Sequence, residues 1–121
     1  MVEHADAGRA RVSELLGPGP RAITRAILGD KVEVELFASS ALDTAQIGYS
    51  RTADGDSLVG GGGSWQAEWF VIGCDAELGD PVFVDLSLPE LPVLSAMHGM
   101  GVWEPFQIAE SLERLLESDV D

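Results

Sequence analysis

The sequence predicts an α+β fold in a single domain, residues 1–121: a mostly antiparallel sheet flanked by N-terminal and C-terminal helices. Three observations predict it. Apolar residues at helical spacing fall at the two ends, within 5–28 and 105–118, while runs of strand length lie between them. The links Asp75–Pro81 and Ser87–Leu91 are too short for helical crossovers, so the strands they join are expected to be antiparallel. With 121 residues, 45% of them hydrophobic, the chain suits one core and leaves little room for a second.

Residues 5–16 carry Val12, Leu15 and Leu16 as an apolar stripe, and Gly17-Pro18-Gly19-Pro20 stops the helix. Ala22, Ile23, Ala26 and Ile27 recur at spacings of three and four, which predicts a second short helix over 21–28 with Arg21 and Arg25 on its other face. Val32-Glu33-Val34-Glu35-Leu36 alternates strictly and predicts a strand with one wet face. Ser39 or Ser40 is then placed to cap a helical turn reaching about Gln46.

Asp54-Gly55-Asp56 and the four glycines 60–63 make 51–64 the segment expected to be a flexible loop, because glycine is costly to order. Trp69–Cys74 is a continuous apolar run and predicts a central strand covered on both faces. Pro81–Leu86 follows, with proline at the first strand position, where its missing N–H is tolerated. A third strand is predicted at 92–97. Ile108, Leu112, Leu115 and Leu116 then predict a closing helix within 105–118, with Glu110, Glu113, Arg114 and Glu117 on its outer face.

The charge is one-sided: seven Lys plus Arg against 21 Asp plus Glu, a net of −14. Residues 52–121 hold 14 acids against one base, Arg114, a net of −13. A phosphate backbone needs cations, so nucleic acid is not an expected partner, and an anionic membrane surface is disfavoured for the same reason. No apolar run is long enough to span a bilayer, and residues 1–16 lack the uncharged stretch of a signal peptide, which predicts a cytoplasmic protein.

No cofactor or metal is expected. Cys74 is the single cysteine, so neither a disulfide nor a dithiol pair can form within the chain, and two histidines, His4 and His98, do not make a multi-histidine site. The glycine run lacks the Lys-Ser/Thr of a phosphate loop, and Asp54-Gly55-Asp56-Ser57 lacks the 12-residue calcium pattern. Cys74 ends an apolar strand, where burial raises a thiol pKa, the reverse of what a nucleophile needs. His98, beside Gly99 and Gly101, is expected to bond a turn carbonyl. Trp69 is assigned to the core; Trp65 and Trp103 flank loops and suit either the core or an exposed anchor for a partner.

In the C-terminal half, Trp69-Phe70-Val71-Ile72-Gly73 is followed by Leu78-Gly79-Asp80-Pro81-Val82-Phe83-Val84-Asp85. Leu91-Pro92-Val93, His98-Gly99, Trp103-Glu104-Pro105 and Ile108-Ala109-Glu110-Ser111-Leu112 then come in order. This succession over 65–117 resembles the SUKH superfamily, which includes the fungal cell-wall synthesis regulator and many bacterial immunity proteins. A weaker echo runs through Glu33–Phe37 and Ala45–Tyr49. The shared residues read as scaffold. Gly79 suits a positive φ, Asp80 can accept backbone N–H groups in its turn, Pro81 fixes the strand entry, and Asp85 faces away from Val82, Val84 and Leu86, placed to orient a nearby loop.

The resemblance implies a non-catalytic immunity protein that occupies a cognate bacterial toxin. The charge suits a basic toxin domain and equally solubility or adaptation to high salt; Asp75, Glu77, Glu90, Trp103 and Glu104 are the candidate contacts because they lie in or beside predicted loops. A regulatory scaffold like the fungal relatives is the nearest alternative. From another class, a small hydrolase or ligand-binding enzyme would use His98 with Asp80 or Asp85, provided those side chains converge within hydrogen-bond reach.

Overall fold

The computed structural model describes residues 2–27, 30–60 and 63–117. Helix α1, Val2–Leu16, ends as expected: Gly17 takes a positive φ of 73° and its N–H bonds Ser13 O at 3.0 Å, which satisfies one of the last helical carbonyls. Six strands follow in an antiparallel meander, β1 (Arg21–Ile27), β2 (Asp30–Leu36), β3 (Trp69–Asp75), β4 (Pro81–Asp85), β5 (Val93–Ser95) and β6 (Phe106–Ala109), each beside its neighbour in sequence. Helix α2 is the single turn Leu42–Ala45, and α3 is Leu112–Glu117. The α+β class and the antiparallel sheet are as the sequence predicts. No helix among the described residues is long and apolar enough to cross a membrane.

Two helical expectations are corrected. Residues 21–27 form β1, not a helix, and residue 28 lies outside the described residues. All seven residues of β1 pair with β2, from Arg21 opposite Leu36 to Ile27 opposite Asp30. Spacings of three and four in so short a segment fit Ile23 facing inward on a strand as well as on a helix, and a long alternating partner next in sequence decides between them. The closing helix is also shorter than predicted. Phe106–Ala109 is strand β6, so Ile108 reaches the core from a strand; Ser111 Oγ then accepts the Arg114 N–H at 3.1 Å and caps α3.

Smaller corrections follow from the same local physics. A 3-10 turn, Ser39–Ala41, precedes α2, but its N-cap is Ala38 and neither serine caps it. The third predicted strand narrows from 92–97 to Val93–Ser95. The described part of 51–64 finds partners: Arg51 pairs with Ser57, Val59 with Trp65, and the Arg51 guanidinium donates to Asp43 O at 2.7 Å. Residues 61–62 lie outside the described residues.

Each face of the sheet is covered. On one side Val34, Leu36, Ile72, Val82, Val84 and Val93 meet Val12 and Leu16 of α1 and Leu112 and Leu115 of α3. On the other, Val71 and Phe83 carry an aromatic cluster of Trp65, Trp69, Tyr49 and Trp103. Trp65 is buried and is core, whereas Trp69 and Trp103 are half-buried at the cluster's margin.

Gln46 completes the sheet where β2 stops. Its Oε1 accepts the Val71 N–H at 2.9 Å, and its Nε2 donates to Val71 O at 2.9 Å and Leu42 O at 2.8 Å. One buried amide thus stands in for a strand partner, a role the sequence does not announce. Gln46→Leu leaves the Val71 N–H unpaired in a dry site and is expected to cost about 1–3 kcal/mol. Urea denaturation reads this loss, and hydrogen exchange at the Val71 amide should quicken with it.

Candidate functional site

Strand direction assigns the loops to two ends of the sheet. The β3–β4 hairpin, residues 75–80, and the β5–β6 loop, residues 96–105, share one end; the β4–β5 turn lies at the other. Asp75, Glu77 and Glu104 are therefore brought to one end, and Glu90 is placed at the opposite one. Asp75 is partly spent on its own hairpin, since Oδ1 accepts the Glu77 N–H at 2.8 Å and the Leu78 N–H at 3.1 Å. Gly79, at φ 78°, supplies the left-handed residue this turn requires. Trp103 is held to the aromatic face, 5.3 Å from Trp65 between ring centroids, with its N–H on Gly63 O.

Asp80 and His98 tie the two loops together. Asp80 is buried, and its Oδ1 takes both the His98 backbone N–H at 3.1 Å and His98 Nδ1 at 2.5 Å. Two expectations change here. His98 bonds a carboxylate rather than a turn carbonyl, and the N–H groups of the β3–β4 turn go to Asp75, while Asp80 reaches across to the next loop. The contact with Asp80 rather than Cys74 or Asp85 is set by register, because β4 begins beside Asp80 and its partner β5 runs out toward His98. Asp85, at the far end of β4, accepts the N–H and hydroxyl of Ser87 and orients that turn.

Asp80→Asn keeps the shape and removes the charge. Because hydrogen bonds to a carboxylate are about twice as strong as neutral ones, a loss of about 1–2 kcal/mol is expected, read as a lower denaturation midpoint at pH 7.

Beside this clamp the sheet curls far enough that β2 and β6 line one cavity of about 220 Å³. Val32, Val34, Val82, Phe106 and Ile108 form its apolar wall, Asp80 and Ser95 its polar one. The Ser95 hydroxyl donates to Pro81 O at 2.8 Å, so its proton is committed to the backbone. At the mouth stand Leu78, 64% exposed, and Met97, 57% exposed, with Met100 and Val102 also exposed on the same loop. The sequence lists these apolar residues but not their convergence, which depends on curl.

Among the described residues no cluster of three or more His, Cys, Asp or Glu side chains could hold a metal ion. Cys74 is half-buried with Sγ 3.9 Å from Glu35 Oε1; burial, then the Glu35 charge, pushes its pKa up. The folded state thus disfavours the thiolate, so stability is lost as pH rises through and above the ordinary thiol range. Iodoacetamide should alkylate Cys74 more slowly in the folded protein than in urea at pH 8, and the rate should rise as pH increases further. Equal rates in both states would contradict this.

Set against known proteins, the chain matches no family model, no curated protein and no solved structure.

Proposed function

We propose that the protein is a non-catalytic protein-binding module, an immunity protein that neutralises a cognate bacterial toxin in the cytoplasm. The observation that supports this reading best is the end of the sheet where Leu78 and Met97 stand exposed at the mouth of an apolar cavity that Asp75 and Asp80 also line. Exposed apolar side chains grouped at a cavity and edged by charge are the usual make-up of a protein-docking surface, and methionine adapts its shape to what it meets. The resemblance of 65–117 to the SUKH superfamily supplies the toxin. The test is co-expression with a toxin, where one is encoded beside this gene. Growth should be rescued and the purified pair should bind; failure of both overturns the reading.

One observation favours a second reading. The His98–Asp80 contact is the kind of acid–base pair a small hydrolase would use. Against it, no serine, threonine, cysteine or lysine bonds the imidazole among the described residues, and Asp80 is shared with a backbone N–H. His98→Ala separates the two, since the immunity reading expects rescue to persist and a hydrolase would lose turnover.

A further inference from the structure

We infer that the cavity beside Asp80 is an anchor pocket that takes one apolar side chain, leucine or methionine in size, from a basic segment of the partner. This rests on the protein-binding reading and adds the chemistry of the element recognised. Three features carry it.

The first is size. About 220 Å³ lies below the roughly 300 Å³ at which small-molecule pockets begin, yet it accommodates a single anchoring side chain. The second is lining. Val32, Val82, Phe106 and Ile108 give an apolar floor, and Leu78 and Met97 can close over an inserted group. The third is charge. Both bonds from His98 fall on Asp80 Oδ1, and among the described residues Oδ2 accepts no hydrogen bond. That oxygen belongs to a residue lining the cavity and can receive a guanidinium or ammonium adjoining the anchor. Asp75 and Glu77 extend the same sign outward, in a half of the chain whose net charge is −13. An arginine or lysine next to the anchor is drawn in, and an acidic segment is repelled.

The probe is a synthetic peptide, acetyl-GSRRLRRSG-amide, titrated into the full isotope-labelled chain and followed by methyl and amide NMR. Two control peptides replace its leucine with serine or its arginines with glutamate. The first peptide should shift the methyl signals of Leu78, Met97 and Val82, and each control should bind at least tenfold more weakly. Val32→Phe, which fills the cavity, and Leu78→Ser, at an exposed position, should each weaken binding at least tenfold without changing the melting temperature of the Leu78 variant.

Equal binding of the serine peptide would mean charge alone is read and would overturn the anchor, as would shifts spread over the acidic surface, no shifts, or a dimer in sedimentation that buries the same residues. Failure here is distinguishable from failure of the underlying reading. A toxin that binds with unchanged affinity to both variants removes the pocket and leaves the module, whereas a chain that neither binds nor rescues removes the module itself.

Discussion

Trp65→Ala is expected to destabilise the protein by about 3–5 kcal/mol, the range for deleting a fully buried large aromatic side chain. Trp65 is 1% exposed and sits at the centre of its cluster, with ring centroids 4.7 Å from Phe83, 5.1 Å from Trp69, 5.2 Å from Tyr49 and 5.3 Å from Trp103. Its Nε1 also donates to Trp69 O at 3.3 Å, so truncation opens a cavity and strands a carbonyl. For a chain of this length the melting temperature should fall by roughly 10–20 °C, measured by circular dichroism. Trp103→Ala, at a half-buried position on the margin, should cost distinctly less. Comparable losses at the two positions would mean the cluster has no centre, contrary to the packing described.

Gly73→Ala should be nearly as severe, about 3 kcal/mol, although it adds a single carbon. A Cβ at this position would lie 2.2 Å from Glu35 O and 3.1 Å from the Leu36 Cα, both backbone atoms that no rotamer change can move. Relief requires β2 to draw away from β3, and those strands share only three residue pairs: Val34–Asp75, Glu35–Cys74 and Leu36–Gly73. Hydrogen exchange should show the β1–β2 hairpin losing protection ahead of β4 and β5. Cys74→Ala, one residue along and half-buried, is the control and should change stability far less. A Gly73→Ala protein melting within about 1 °C of the parent would show that the close approach is not required.

These two positions show how legible the chain was. Gly73 stands out as one of the motif residues, yet a glycine inside an apolar strand does not say which backbone crosses it. That information belongs to the bulge between Val71 and Gly73 and to the register with β2. Trp65 reads as core with an exposed anchor as the alternative, because a tryptophan after four glycines has no periodicity to place it. The segment 21–27 misleads for a related reason: seven residues carry too few repeats to separate a period of 3.6 from one of two. Ile108 reads as helical because its spacing to Leu112 is helical, while Pro105 before it and the open edge of β5 favour a strand.

What the sequence determined by itself is whatever depends on neighbours along the chain: the end of α1 at Gly17, the alternating β2, the apolar β3 and β4, the turn at Gly79, and with them the net charge of −14. Short connections were enough to make the later strands antiparallel. The candidate site depends instead on residues far apart in sequence, with Val32 and Phe106 sharing one cavity wall and Asp80 holding His98 across two loops. Their meeting follows from the curl of the six-stranded sheet, a sum of strand twists and bulges set by packing on both faces, and such a sum is absent from any local stretch of residues.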